Sequence, residues 1–261
     1  MSDGIIVVKL GGRTQGDPAL PAALAALWRA TGGRVVVVHG GGDQISALQR
    51  LRGEEPVFVG GRRVTTDGAL ELVRMVLSGL ANKQMVSALT AAGAPAVGIS
   101  GEDAGLLRAV PIDVATFGHS GTPSRVDRRL VDTLLAQAFL PVISPVAAHA
   151  DEHVGGALNV NGDDAAAAIA AALDAAELFL MADVPGVLDA ARARIPVLSL
   201  DAARALVASG VAGGGMAAKL DACAHALLGG VPRVRIGDLA ALADPDAGTA
   251  IVAHDPAVVS H

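Results

Sequence analysis

Short apolar runs rich in β-branched residues alternate with alanine-rich stretches along most of this chain of 261 residues. Such runs are typical of strands buried on both faces, and the stretches between them have the composition of helices. The alternation predicts an α/β fold, a three-layer αβα sandwich around a mainly parallel open sheet. The predicted strands cover residues 5–9, 34–38, 96–99, 140–144, 178–181 and 233–236, and the predicted helices cover residues 19–30, 44–51, 66–92, 127–138, 163–173 and 217–228.

The predicted helix at residues 66–92 is unusually long, and its apolar residues follow a stripe. Leu70, Val73, Leu77 and Leu80 recur at a spacing that places them on one helix face. An apolar helix face of this kind must be buried against another apolar surface. The sequence leaves two partners open, the protein's own core and a second copy of the chain.

The order of the predicted elements also suggests how the chain is divided. Residues 106–117 and the turn after them predict a hairpin that leaves the main alternation. A boundary near Asp174, between a helix and the next strand, predicts two lobes, residues 1–174 and residues 175–261.

Composition excludes several classes of protein. A net charge of -6 and an aromatic content of 2% argue against broad nucleic-acid binding. Although 52% of the residues are hydrophobic, no apolar run approaches the roughly 20 residues that a bilayer needs. Four residues before the first predicted strand leave no room for a signal peptide, and the single Cys223 fits a reducing cytoplasm. We therefore expect a cytoplasmic protein that binds neither nucleic acid nor membrane.

The first predicted strand ends in a lysine followed by two glycines, Gly11 and Gly12. Lys9 is one of only three lysines, with Lys83 and Lys219, and every other basic residue is an arginine. An ammonium group is a compact charge that suits a phosphoryl oxygen, and ligands of open α/β sheets bind where the strands end. The pattern favours phosphate chemistry, although a solvent-exposed lysine beside an ordinary turn is the alternative.

Two further glycine clusters lie at predicted strand or helix ends, and the later one, residues 213–215, leads into the predicted helix that carries Lys219. Gly40, Gly41 and Gly42 follow the second strand and precede a helix, where backbone N–H groups can form an anion cradle. His39 with these glycines also matches the oxyanion loop of lipase-like hydrolases, which require a G-x-S-x-G elbow. The nearest stretch ends in Glu102 instead of glycine, so a hydrolase is only a minor alternative.

Polar residues at other predicted turns are candidates for substrate binding. Arg63 is placed on a loop before the long helix, where a guanidinium can hold a carboxylate. Asn159 and Asn161 share one face of an extended segment and suit hydrogen bonding to a polar substrate. The next residues begin a helix, which we expect Asp163 or its neighbour to cap.

With these residues assembled, the chain resembles the amino-acid kinase superfamily and, within it, the N-acetylglutamate kinases of arginine biosynthesis. The resemblance runs from residue 5 to about residue 252 and rests on the order and spacing of short motifs. These motifs are Lys9-Leu10-Gly11-Gly12, Val38-His39-Gly40-Gly41-Gly42, Arg63-Val64-Thr65, Ala81-Asn82-Lys83, Asn159-Val160-Asn161-Gly162-Asp163, Asp183-Val184-Pro185-Gly186-Val187-Leu188, Gly215-Met216-Ala217-Ala218-Lys219 and Gly248-Thr249.

The resemblance implies transfer of the ATP γ-phosphoryl group to the side-chain carboxylate of N-acetyl-L-glutamate, with Mg²⁺ carried by the nucleotide and no metal site of the protein's own. It implies that Lys9 and Lys219 stabilise the transferring group and that Asp163 orients both lysines. The implied substrate-binding residues are Gly41, Gly42, Arg63 and Asn159, to which the pattern above adds Asn161. The implied ATP-binding residues are Gly11, Gly12, Asp183, Val184, Pro185, Gly186, Val187, Leu188, Val211, Ala212 and Gly213, so that the C-terminal lobe is the ATP lobe.

Three departures from the family pattern bear on these expectations. Arg13 adds a charge near the phosphates, and Gly162 stands where alanine is commoner. Hexameric members that arginine inhibits carry an extra N-terminal helix, for which the four residues before the first strand leave no space. We therefore expect a homodimer that is insensitive to arginine, with the helix at residues 66–92 in its interface. A kinase of N-succinylglutamate or an aminoadipate derivative, or a sensor of amino acids or nucleotides on the same fold, remains an alternative.

Overall fold

The computed structural model describes residues 4–11 and 13–254, including every predicted strand and helix. The strands are β1 (Ile6–Leu10), β2 (Val35–His39), β3 (Phe58–Val59), β4 (Arg62–Arg63), β5 (Ala96–Gly101), β6 (Leu107–Pro111), β7 (Ser120–Val126), β8 (Leu140–His149), β9 (Ala157–Val160), β10 (Glu177–Met181), β11 (Val197–Ser199), β12 (Val234–Gly237) and β13 (Thr249–Val252). The α-helices are α1 (Leu20–Ala30), α2 (Gly42–Leu51), α3 (Asp67–Val73), α4 (Asn82–Ala91), α5 (Val114–Phe117), α6 (Arg129–Ala136), α7 (Gly162–Ala172), α8 (Leu200–Ala208), α9 (Gly214–Leu228) and α10 (Leu239–Ala243).

One large sheet organises the described part of the chain. Its strands follow the order β11-β13-β12-β10-β1-β2-β8-β6-β7-β9, with β5 also paired to β8. The central pairs β10–β1, β1–β2 and β2–β8 are all parallel, as the alternation predicted. Antiparallel pairing occurs between β6 and β7, which form the predicted hairpin, between β8 and β9, and between β12 and β13.

The first strand shows why this sheet needs helices on both faces. Val7 belongs to one apolar core, whereas Ile6, Val8 and Leu10 belong to another on the opposite face. The first core includes residues of α7 and α9, and the second includes residues of α1 and α4. Because consecutive side chains of a strand point to opposite faces, a continuous apolar strand requires a layer on each side. The predicted three-layer α/β architecture is confirmed.

The predicted long helix is continuous in helical backbone but changes its hydrogen-bonding pattern in the middle. A π-helical segment, Arg74–Ala81, joins α3 to α4. Val73 and Leu77 from the predicted stripe are buried, whereas Leu80 is 53% exposed. Leu77 packs close to the turn after β2, since a Cβ added to Gly41 would lie 2.6 Å from the Leu77 Cδ2 atom. The stripe therefore faces the protein's own core in part and the surface in part.

Several elements of the structure were not predicted. They include helix α8 and the strands β11 and β13, which lie at one end of the sheet. Helix α8 has a clear start signal, because the Ser199 side chain accepts a hydrogen bond from the Ala202 N–H group. None of the helices in residues 4–11 and 13–254 has the length and apolar character needed to span a bilayer.

Candidate active site

The candidate site lies where parallel strands of the sheet end. Lys9 is the fourth residue of β1, and the glycines after β2 begin helix α2. Asp183 follows β10, which pairs with β1 on the side opposite to β2. This edge is the one at which open α/β sheets bind ligands.

Two lysines converge on one carboxylate oxygen in this edge. The Lys9 Nζ atom lies 2.8 Å from Asp163 Oδ1, and the Lys219 Nζ atom lies 2.9 Å from the same oxygen. The exposed fractions are only 8% for Lys9, 9% for Lys219 and 5% for Asp163. The structure thus brings together the three residues predicted to be catalytic, from β1, α7 and α9.

The electrostatics of this group favour an anionic ligand. Burial lowers the pKa of Lys9 to about 8; the Asp163 carboxylate opposes this shift and the Lys219 ammonium adds to it. Burial works against ionisation of Asp163, but the neighbouring charges of Lys9 and Lys219 outweigh it and hold the carboxyl pKa below its ordinary value. At neutral pH two ammonium groups therefore face one carboxylate, which leaves a net positive charge for phosphate oxygens to neutralise.

Helix α7 begins with a different cap from the one expected. The Asn161 side chain accepts a hydrogen bond of 2.8 Å from the Asp163 N–H group, so Asn161 is the N-cap. The expectation that Asp163 or its neighbour caps the helix is wrong, because the Asp163 carboxylate is committed to the two lysines. The other asparagine, Asn159, donates to the Thr65 hydroxyl oxygen at 3.0 Å.

Arg63 is held rigidly beside the start of α2. Its Nη1 atom donates to the Gln49 side chain, and its Nη2 atom donates to the Gly42 carbonyl at 2.9 Å and to the Ser46 hydroxyl at 2.8 Å. The Phe58 ring covers the guanidinium, with its centroid 4.7 Å from the Cζ atom. Among the described residues these hydrogen bonds use three of the five guanidinium donors, so two remain for an anion.

One cavity collects all the residues that were predicted to bind the amino-acid substrate. It has a volume of about 160 Å³, and its lining includes Gly41, Gly42, Arg63, Asn159 and Asn161. Backbone groups, amides and a guanidinium thus share this space with apolar side chains such as Leu77 and Ile112, the mixture that is common in small-molecule sites.

A second cavity, of about 520 Å³, lies beside Lys219 and Asp163. Its lining includes Gly11, Asp163, Asp183, Val184 and Lys219. Gly162 lines the smaller cavity and its neighbour Asp163 lines the larger one. The lysine and carboxylate group therefore stands at the boundary between the two spaces.

The other described residues that were predicted to bind ATP do not line the 520 Å³ cavity. Val187 is fully buried, and its N–H group donates to the Thr249 hydroxyl at 2.8 Å. A Cβ added to Gly186 would lie 2.5 Å from Thr249 Oγ1, so this turn is packed against β13. Pro185, Leu188, Val211, Ala212 and Gly213 are not among the residues that line the 520 Å³ cavity, and Ala212 is buried. Gly12 lies outside the described residues.

Sequence reasoning missed the polar residues that hold Arg63. Ser46 and Gln49 are both buried in α2. Their spacing places them on one face of the helix together with Ile45. Polar residues on the same helix face as the apolar Ile45 are the sequence signal that could have identified them. Asp43, which lines the larger cavity at the start of α2, was also missed.

The chain is similar to several known proteins. Residues 4–238 match the model of the amino acid kinase family. Acetylglutamate kinase from Azorhizobium caulinodans is 41% identical over 251 residues, covering 90% of this chain and 82% of that protein. Acetylglutamate kinase from Sulfurovum sp. is 41% identical over 237 residues, covering 89% of this chain and 83% of that protein. The crystal structure of smu.665 from Streptococcus mutans UA159 superposes with a TM-score of 0.86 at 27% identity, covering 97% of this chain and all of that one. The chain therefore belongs to the amino acid kinase family.

Proposed function

We propose that this protein transfers the γ-phosphoryl group of ATP to the side-chain carboxylate of N-acetyl-L-glutamate, giving an acyl phosphate, in arginine biosynthesis. The observation that carries the proposal is the convergence of Lys9 and Lys219 on one oxygen of Asp163, at the boundary between two cavities. The similarity to acetylglutamate kinases over about nine-tenths of the chain supports this choice of substrate.

The chemistry that such a site must supply is alignment and charge neutralisation. A carboxylate is already a nucleophile at neutral pH, so no general base is needed. The difficulty is that the acceptor and the phosphoryl group are both negative. Lys9 and Lys219 offset that repulsion as charge spreads over the transferring group, and the Asp163 carboxylate offsets the repulsion between the two ammonium groups and holds them in place.

The two cavities suggest where each substrate lies. In the proposal the α-carboxylate and amide of the acceptor occupy the 160 Å³ cavity, near Arg63, Asn159 and Asn161. Gly41 and Gly42 supply backbone donors near the reacting oxygens. The nucleotide occupies the 520 Å³ cavity, with Lys219 on the side of the departing ADP.

This assignment also gives the proposed lobes their roles. Every residue that lines the smaller cavity precedes Asp174, which supports residues 1–174 as the acceptor-binding part. Asp183, Val184 and Lys219 of the larger cavity belong to residues 175–261, the proposed ATP-binding part. The main sheet is shared by both, because β1 pairs with β2 and with β10.

Mg²⁺ enters this scheme on the phosphates of ATP. Within the described residues no group of three His, Cys, Asp or Glu side chains is arranged to hold a metal ion. The ion screens the negative charge of the nucleotide when bound, and the lysines add the charge that the protein supplies.

The direct test is to trap the acyl phosphate with hydroxylamine. Purified protein is mixed with Mg-ATP, hydroxylamine and, separately, N-acetyl-L-glutamate, N-succinyl-L-glutamate and an aminoadipate derivative. We expect hydroxamate from N-acetyl-L-glutamate, and its loss in the Lys219→Ala variant. Arg204→Ala, which changes an exposed arginine of α8, is the matched control and keeps the activity.

Other outcomes of this test would change the proposed substrate or contradict the proposed kinase function. Hydroxamate from only one of the other acceptors keeps the mechanism and changes the substrate. No hydroxamate from any acceptor, with ATP or amino-acid binding retained, indicates a sensor on the same fold.

We further propose that the protein is a cytoplasmic homodimer that uses the helix from α3 through α4 as its interface. Met75 and Leu80 of the π-helical segment are 57% and 53% exposed, so this segment presents apolar surface that a second copy would bury. Sedimentation equilibrium tests this, and we expect twice the chain mass. A hexameric mass, or inhibition by millimolar arginine, contradicts the proposal.

A further inference from the structure

A buried polar network lies behind the glycine turn of the site and has no role in the mechanism above. It joins His39, the last residue of β2, to Asn82, the first residue of α4, and to Lys83, the third lysine of the chain. His39 and Asn82 are fully buried. Polar groups at such positions are costly unless each of them is hydrogen-bonded, so their arrangement is informative.

The lysine fixes the orientation of the asparagine. Lys83 Nζ lies 3.0 Å from Asn82 Oδ1 and 3.0 Å from the Gly98 carbonyl oxygen. An ammonium group only donates hydrogen bonds, so the Asn82 atom facing it must be the amide oxygen. The amide nitrogen, which only donates, then faces the opposite side, where the carbonyl oxygens of Val142 and Ile99 lie 2.9 Å and 3.3 Å from it.

The asparagine in turn fixes the tautomer of the histidine. The Asn82 Nδ2 atom lies 3.1 Å from His39 Nε2, which must therefore be the acceptor. The ring proton is then on Nδ1, which donates to the Gly40 carbonyl at 2.9 Å. Burial lowers the pKa of His39, which keeps the ring neutral as this arrangement requires.

The histidine determines the direction of one peptide group in the glycine turn. In a trans peptide the C=O and N–H bonds point in opposite directions. The Gly40 carbonyl is held against the His39 ring, so the N–H of Gly41 points away from it. Gly41 lines the 160 Å³ cavity, where the proposed function needs a backbone donor.

We propose that Lys83, Asn82 and His39 are positioning residues that hold the Gly40–Gly41 peptide with the Gly41 N–H directed at the reacting oxygens. The network is itself closely fitted, because a Cβ at Gly98 would overlap Asn82 Oδ1 and lie 2.7 Å from Lys83 Nζ. The part of this proposal that concerns catalysis rests on the proposed kinase function. The hydrogen-bond pattern of the network is independent of that function.

The first test is the ¹⁵N spectrum of the histidine rings in the intact protein, with His39→Gln used to assign the signal. We expect a neutral His39 ring protonated on Nδ1, with no change of state across neutral pH. A proton on Nε2, or an imidazolium ring at neutral pH, overturns the proposal. This result is independent of whether the protein is a kinase.

The second test removes the lysine. Lys83→Met keeps the length of an exposed side chain and frees the Asn82 amide to rotate, so we expect the Gly41 backbone amide resonance to shift. We expect kcat for hydroxamate formation to fall about tenfold, less than complete loss of such a donor, with little change in the KM for ATP. Lys83→Arg should recover part of the loss, and Ser87→Ala, on the same helix, should change neither quantity.

A Lys83→Met protein with an unshifted Gly41 resonance and an unchanged kcat overturns the proposal. If wild-type protein forms no hydroxamate, the proposed function fails, but the Gly41 shift still decides whether the network orients the peptide. Should Lys83→Met be poorly folded, Lys83→Gln is the second variant, with the same expectations for the Gly41 resonance and kcat.

Discussion

Two cationic regions of the site are stabilised in opposite ways. Lys9 and Lys219 share a buried carboxylate, whereas Arg63 is held by an amide, a hydroxyl and a backbone carbonyl, all of them neutral. The charges of the first region hold one another in place. In the second region neutral contacts fix the position of the guanidinium, and in the proposed function an anionic substrate pairs its charge. Under that proposal the first region acts on the transition state and the second acts on substrate binding.

The largest effect should come from breaking the first region. Asp163→Asn leaves two buried ammonium groups without their shared counter-ion. We expect the free energy of unfolding to fall by about 3 kcal/mol and kcat to fall by roughly 10³-fold or more. Urea denaturation and steady-state kinetics measure the two quantities. A variant as stable and as active as wild type would show that the carboxylate does not hold the lysines.

Arg63 should show the contrasting behaviour. Arg63→Met removes the charge but keeps an apolar side chain against Phe58. We expect the KM for the acyl amino acid to rise about 10²-fold, as for loss of a charge-assisted pair, with a much smaller change in kcat. Initial-rate kinetics at varied acceptor concentration test this, with Arg204→Met as the control. A loss confined to kcat would place Arg63 at the transferring group instead.

The pH dependence of the first region follows from the pKa of Lys9. Burial, the largest cause, lowers this pKa from 10.5 to about 8, so Lys9 loses its charge as the pH rises above about 8. We expect kcat to decline above that pH, approaching about tenfold per pH unit, because the uncharged amine no longer offsets phosphoryl charge.

Lys9→Arg distinguishes this cause from others. A guanidinium stays protonated at alkaline pH, so the decline should be absent from the kcat of the variant, whatever its absolute rate. A decline of the same midpoint in the variant would assign the titration to a different group.

The smallest effect concerns Gly162, at the first position of α7. A Cβ at this position would lie 3.2 Å from Lys9 Cε, a contact that the flexible lysine relieves by a shift of a few tenths of an ångström. We expect Gly162→Ala to lower kcat by less than about fivefold and to leave the free energy of unfolding nearly unchanged. A loss of 10²-fold would mean that the position of the Lys9 ammonium is far more tightly constrained.

Much of this fold follows from local patterns in the sequence. The six predicted strands and the predicted helices are all present because continuous apolar runs and alanine-rich stretches encode burial directly. Strands β11 and β13, at one end of the sheet, were missed, since three or four residues carry too little periodicity to stand out. The π-helical segment within the long helix leaves no composition signal of its own.

The candidate site was predictable to a different degree. Lysines beside glycine turns identified Lys9 and Lys219, because a chain rich in arginine makes each lysine conspicuous. The residue that caps α7 and the residues that hold Arg63 were harder to find. Asn161 as helix cap and Gln49 as guanidinium acceptor depend on which elements the fold brings together, and that is information that no local window contains.

The most direct measurement is a single-turnover, rapid-quench comparison of wild type, Asp163→Asn and Arg63→Met with saturating Mg-ATP and N-acetyl-L-glutamate. We expect Asp163→Asn to slow formation of the acyl phosphate by roughly 10³-fold even at saturation. We expect Arg63→Met to reach a rate within about tenfold of wild type once the acceptor is saturating. Equal slowing of both variants at saturation would contradict the division of the site into a phosphoryl-transfer region and a substrate-binding region.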